Sequence, residues 1–182
     1  TTSFLPQGGG CKNLRVYQIT EVIYDLTYHF AHRFLRPGDR TVDQMIQAAR
    51  SGKQNIVEGK AASLTSSETH LKLLNVARAS FQELLVDFED YLRTRKLRIW
   101  ETNSAKVQAM RKLGIEHSDS DFFVRLADER DDEVIANMII VLIHQEDVLL
   151  RKHIEKQLSQ FVNEGGFNES LKKARIEKRK QK

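Results

Sequence analysis

Proline is nearly missing from this sequence. Pro6 and Pro37 are its only two in 182 residues, so nothing after position 37 forces a break in a helix. Cysteine is scarcer still: Cys11 stands alone, which excludes an internal disulfide and a cysteine-rich zinc site. No apolar run approaches the roughly 18 residues that span a bilayer. The longest cluster, Met138–Ile143, is closely flanked by polar residues. The opening TTSFLPQGGG has neither a basic n-region nor an apolar h-region, so no secretory signal is read there, and a cytoplasmic location is expected. Catalytic signatures are also wanting. There is no HExxH, P-loop or GxGxxG, and no Glu-x-x-His pair of the kind that builds a di-iron centre. His29 and His32 stand at i and i+3, a spacing that can share a metal, and His144 clusters with Glu146 and Asp147 without a nucleophile. The reading is a protein with no metal, no cofactor and no enzymatic activity.

What is present is helix. The chain is 40% hydrophobic and 30% charged, as in soluble folded proteins, and rich in residues that favour α-helix. Val16, Ile19, Ile23, Leu26, Phe30 and Phe34 follow an amphipathic helical period, closed by Pro37 and Gly38. A second helix is predicted from Arg40 to Ala62. A capping box of Thr65 and Glu68 opens the third, with a seam of Leu71, Leu74, Arg78, Phe81, Leu85, Phe88 and Leu92. Residues 100–133 predict two short helices, one capped by Thr102 or Asn103 and ended at Gly114, the other opened by Ser118 or Ser120. The last long helix runs from about Asp132 to Val162, with an apolar face too wide for one partner, and Gly165 and Gly166 close it. The predicted fold is all-α: an up-down four-helix bundle over residues 15–164, with an extra helical excursion before the last helix. A flexible segment (1–14) precedes it and a basic C-terminal suffix (165–182) follows.

Helix two carries a puzzle. Gly52 and Gly59 each cost roughly 1 kcal/mol relative to alanine in a helix interior, yet they lie on the seam of Val42, Met45, Ala49 and Ile56. Small residues there let another helix approach closely or leave room for a large side chain, and helix three offers Arg78 and Phe81. A guanidinium at a core position needs partners. In an antiparallel hairpin the nearest are Asn55 and Glu58, so Asn55, Glu58 and Arg78 are expected to form a polar cluster that fixes helix register; a ligand pocket is the other reading.

Charge is uneven. The net charge is +4, but residues 171–182 alone hold seven basic side chains and one acidic. A second basic knot, Arg93, Arg95, Lys96 and Arg98, is followed by eight acidic residues between Glu116 and Glu133. Basic clusters of this kind bind nucleic acid phosphates or serve as solvated faces. The candidates for phosphate contact are Arg93, Arg95, Lys96 and Arg98 in the knot and Lys172, Lys173, Arg175, Lys178, Arg179 and Lys180 in the suffix. The stripe of Tyr17, Tyr24 and Tyr28 reads as interface or rim packing, or as a platform for stacked bases.

Asn55, Ile56, Glu58 and Gly59, followed after a serine-rich turn by Ala77, Arg78, Ser80 and Glu83, spell a pattern. It resembles the bacterial four-helix-bundle family named after the intervening sequences of large-subunit ribosomal RNA genes. The likeness covers about residues 16–100, and the last helix only by its pattern. It implies small bundles assembled as pentameric rings. A related accessory protein of diversity-generating retroelements binds a reverse transcriptase and nucleic acid. The expectation is therefore a homo-oligomer, most simply a pentamer, acting as an RNA- or DNA-binding accessory with a reverse transcriptase partner. The alternative is a scaffold or adaptor that binds another protein through the acidic excursion and the wide last helix.

Overall fold

The computed structural model describes residues 11–164 and 167–180. Residues 1–10, most of the flexible segment predicted at the N-terminus, and the glycine pair at 165–166 lie outside that range. A 3₁₀ turn at Cys11–Asn13 leads into seven helices: α1 (Arg15–Phe34), α2 (Arg40–Ala62), α3 (Ser67–Thr94), α4 (Ala105–Glu116), α5 (Ser120–Asp128), α6 (Asp132–Glu164) and α7 (Phe167–Lys180). No strand occurs among the described residues. The predicted all-α class is thus observed.

The caps follow local chemistry that spacing alone did not resolve. Asp39 caps α2, its side chain accepting from the Thr41 amide at 2.9 Å. At α3 the cap is Ser66, not Thr65: its hydroxyl oxygen accepts from the Thr69 amide at 3.1 Å. Glu68 is left to pair with Lys72 at 2.8 Å, one turn on. Ser104 and Asp119 cap α4 and α5 in place of Thr102 or Asn103 and of Ser118 or Ser120. Every corrected cap lies one or two residues from the expected one, because several adjacent residues can cap and only packing selects which turn starts the helix. Gly114 does not end α4, which continues to Glu116.

Named contacts set the directions of the long helices. Along α3 and α6, Tyr91 meets Asp132, Arg78 meets Asp147 and His70 meets His153, an antiparallel register. Gly52 faces Phe81 and Gly59 faces His70, so α2 and α3 are antiparallel too. α1 packs on α2, α5 and α6, and α4 packs on α6. Phe30 of α1 stacks edge-on against Phe88 and Tyr91 of α3, with ring centroids 5.1 and 4.8 Å apart. The core is a continuous set of aliphatic and aromatic side chains from these elements, including Ile23, Leu26, Phe30, Met45, Leu74, Leu84, Phe88 and Ile139.

The wide apolar face of α6 is real, since every side chain from Ile135 to Ile143 is buried. Its extra width is covered within the chain. α4 brings Val107 and Met110 to it, and Trp100 packs beside them. Farther along, from Leu158 to Asn163, every side chain of α6 is exposed.

Candidate nucleic-acid interface

The basic knot is built by the way α3 stops. The Leu97 amide donates to the Leu92 carbonyl at 2.9 Å, closing the last turn, while Lys96 takes a left-handed backbone with φ 58°. That conformation disfavours side chains other than glycine or asparagine. The chain then runs extended against α6, held by one buried amide. Asn137 donates from Nδ2 to the Arg98 carbonyl at 2.8 Å, and its Oδ1 accepts from the Trp100 amide at 2.7 Å. Glu133 accepts from the Arg98 amide at 3.0 Å.

Arg93, Arg95, Lys96 and Arg98 are all exposed at this corner. Arg93 is already paired with Asp90 at 2.7 Å, and the Arg95 guanidinium lies over the Tyr91 ring, 3.8 Å from its centroid. Positive charge at a helix C-terminus is favourable in itself, because it meets the negative end of the helix dipole. The knot therefore has a structural reason to be basic as well as a capacity to meet phosphate.

The suffix is helix α7. Lys172, Lys173, Arg175, Lys178 and Arg179 are exposed, and Leu171 and Ala174, on one face, are half-buried. The side chain of Lys180 lies outside the described set. None of the five exposed cations makes an ion pair among the described residues.

The two basic groups are not brought together within one chain. The knot is tied to Glu133 at the start of α6, whereas α7 follows Glu164 at its end. At 1.5 Å per residue these positions are roughly 46 Å apart along the helix.

The predicted polar cluster is divided. Asn55 donates to the carbonyl and hydroxyl oxygens of Ser51 at 2.9 and 3.2 Å, and the Ser51 and Ser80 hydroxyls lie 2.8 Å apart. Ser80 donates onward to the Val76 carbonyl at 3.0 Å, so Ser51 must be the donor to Ser80. A short polar chain thus links Asn55 to Ser80 across α2 and α3. Arg78 and Glu58 are not in it. Glu58 is exposed, and Arg78 turns to α6, donating from Nε to Asp147 at 2.6 Å. Spacing admitted either Ala77 or Arg78 between Leu74 and Phe81. Ala77 is the fully buried one, and the longer side chain rotates to the edge.

Arg15 and Asn137, which the spacing did not single out, and Glu146, which it grouped with His144 and Asp147, carry weight here. Arg15 clamps the end of α4, donating from Nη2 to the carbonyls of Gly114 and, at 2.8 Å, His117. Asn137 positions the knot. Glu146 is fully buried on α6 with no hydrogen-bond partner on either oxygen among the described residues, and burial holds its carboxyl well above the usual range while the Arg15 charge opposes that. A charged residue at a helical core position is the one signal that marks it in the sequence.

His29 and His32 line one cleft but have different partners. His32 Nδ1 lies 2.9 Å from the Tyr28 carbonyl, and His29 Nε2 lies 3.7 Å from Asp128. Tyr24, Tyr28 and His32 form a tilted ladder, with 6.5 and 4.1 Å between ring centroids, and Lys53 sits over Tyr24. No helix among the described residues is long and apolar enough to cross a membrane. Comparison with protein-family models, with curated proteins and with solved structures finds no match to this chain.

Proposed function

We propose that this protein is a non-enzymatic, homo-oligomeric accessory factor that binds RNA through clustered basic side chains. In this reading α1, α2, α3 and α6 form an up-down four-helix bundle, α4 and α5 are the excursion, and the chain belongs to the ribosomal-intervening-sequence family that its motif resembles. A pentamer and a reverse transcriptase partner come with that resemblance. The observation that carries the reading is α7: five exposed cations on one short helix, none neutralised by an ion pair among the described residues. Such a surface attracts phosphates with little regard to sequence. The knot is tied to the start of α6 and the suffix follows its end, roughly 46 Å on along that helix, which favours an assembly in which the knot of one subunit and the suffix of another border the same nucleic acid.

The experiment is a truncation ending at residue 170, with RNA affinity followed against salt and mass followed by light scattering. Each phosphate that is no longer neutralised lowers the slope of log affinity against log salt by roughly 0.7–0.9. The truncated protein is expected to bind all sequences more weakly, with a flatter slope and an unchanged mass. No RNA binding by the full chain at low salt sinks the proposal.

A scaffold role is favoured by a different observation, the exposed Leu158, Phe161 and Val162 at the far end of α6. A protein partner that stays bound after nuclease treatment, and is released on substituting Phe161, would support that role instead.

A further inference from the structure

We propose that the cleft between α1, α4 and α6 is a binding site for a small amphipathic anion, a carboxylate carrying a hydrocarbon chain. The cleft has a volume of about 540 Å³, within the roughly 300–1,000 Å³ of small-molecule sites. Its basic lining residues are Arg15, Arg111 and His144, and no acidic residue lines it. The rest is mainly aliphatic. Ile115 and Val148, which border it, remain 73% and 41% exposed, so the apolar lips of the cleft are uncovered.

The frame is rigid. Arg15 is committed to the carbonyls that end α4, which ties that helix to α1. Gln145 donates to the Arg111 carbonyl at 2.9 Å, which ties α4 to α6. Gly114 permits that approach, because a Cβ there would stand 3.0 Å from Gln145 Cδ. Arg111 is different. Its guanidinium makes no ion pair and no hydrogen bond among the described residues, although the residue is half-buried. A partly desolvated guanidinium beside apolar walls is completed by a carboxylate, through charge-assisted hydrogen bonds that are stronger than in open water. The chain of the ligand would lie along the aliphatic lining of Ile19, Ile115, Val148 and Leu149. Glu89 and Asp147 line the neighbouring cleft across Arg111 and His144, where Asp147 is already engaged by Arg78 and Arg151, and the buried Glu146 lies near Arg15 with its carboxyl pushed towards the neutral form.

The test uses the full chain, anilinonaphthalene sulfonate as a fluorescent probe, and decanoate and decanol as competitors. Decanoate is expected to displace the probe from one site per chain, with decanol, which has the same chain and no charge, about tenfold less effective. Arg111→Gln is expected to weaken decanoate by about tenfold with helical content unchanged. Equal competition by decanol, or an Arg111→Gln affinity close to that of the parent, overturns the proposal. Arg111-dependent association with phosphatidylglycerol vesicles without displacement by monomeric decanoate also overturns it, and points to a lipid surface. Should the variant fail to fold, the contrast between decanoate and decanol on the parent protein decides alone.

Discussion

The ring of Phe81 fills the space that a side chain at Gly52 would occupy: a Cβ built there would lie 2.6 Å from Cε2 and 2.7 Å from Cε1. Gly52→Ala therefore sets two effects against each other. Helix propensity favours alanine by roughly 1 kcal/mol, while forcing a methyl into a packed aromatic costs typically 1–3 kcal/mol. The ring is buried on a long helix and has little room to retreat, so overpacking wins. A lower melting temperature is expected for Gly52→Ala, restored in part by adding Phe81→Leu. A melting temperature that rises with the single substitution would show that the glycine is not there for Phe81.

Arg78 is paired but not buried, with 40% of its side chain exposed, and Asp147 also holds Arg151 at 3.1 Å. Losing one partner leaves the other. Arg78→Ala is expected to cost no more than about 1 kcal/mol, far less than removal of a core guanidinium would. Asp147→Ala should cost more, since it strands two arginines. Chemical denaturation of both variants checks the order.

The T-shaped pair His70 and His153, with ring centroids 5.9 Å apart, joins α3 to α6. His70 Nδ1–H donates to the Gly59 carbonyl at 2.6 Å. Burial lowers the pKa of both rings. Lys60 lowers both further, and His70 and Lys156 add to this at His153, while the Gly59 bond pulls His70 the other way. Both are thus neutral when folded at a pH where the unfolded chain, near 6.5, begins to bind protons. Their contribution is present above about pH 6.5 and is lost as pH falls through the folded values. Each histidine adds up to about 1.4 kcal/mol per pH unit to that slope. His153→Gln should flatten the fall just below about pH 6.5; an unchanged slope would refute the assignment.

Glu146 works in the opposite direction. Its folded carboxyl keeps its proton above the ordinary range, so the folded state binds a proton that the unfolded state releases. Stability from this group is greatest in acid and declines as pH rises from about 4.5 towards the raised folded value. Glu146→Gln should abolish that decline. Glu146→Leu should stabilise the protein at neutral pH by on the order of 1–3 kcal/mol, because two unpartnered oxygens are removed from the core. Denaturation curves across pH for the parent and both variants make the comparison.

The sequence by itself determined the helical class, the bounds of α1 and α2 and the place of the short helices. Apolar periodicity and breaker residues such as Pro37 and Gly38 act locally, and the chain obeys them wherever it packs. It also placed the tight seam at Gly52 and Gly59, because a helix keeps such residues only against a close neighbour. Tertiary structure decided what periodicity leaves degenerate. Ala77 and Arg78 fit the same spacing, and only the room beside Phe81 and the carboxylate of Asp147 on a distant helix turned one inward and the other to the edge. Only the tertiary structure tied the basic knot to the start of α6 through Glu133 and Asn137, and only it covered the wide face of that helix with α4 and Trp100. Those outcomes depend on residues far apart in the chain, whose meeting is set by packing and not by the spacing of either segment alone.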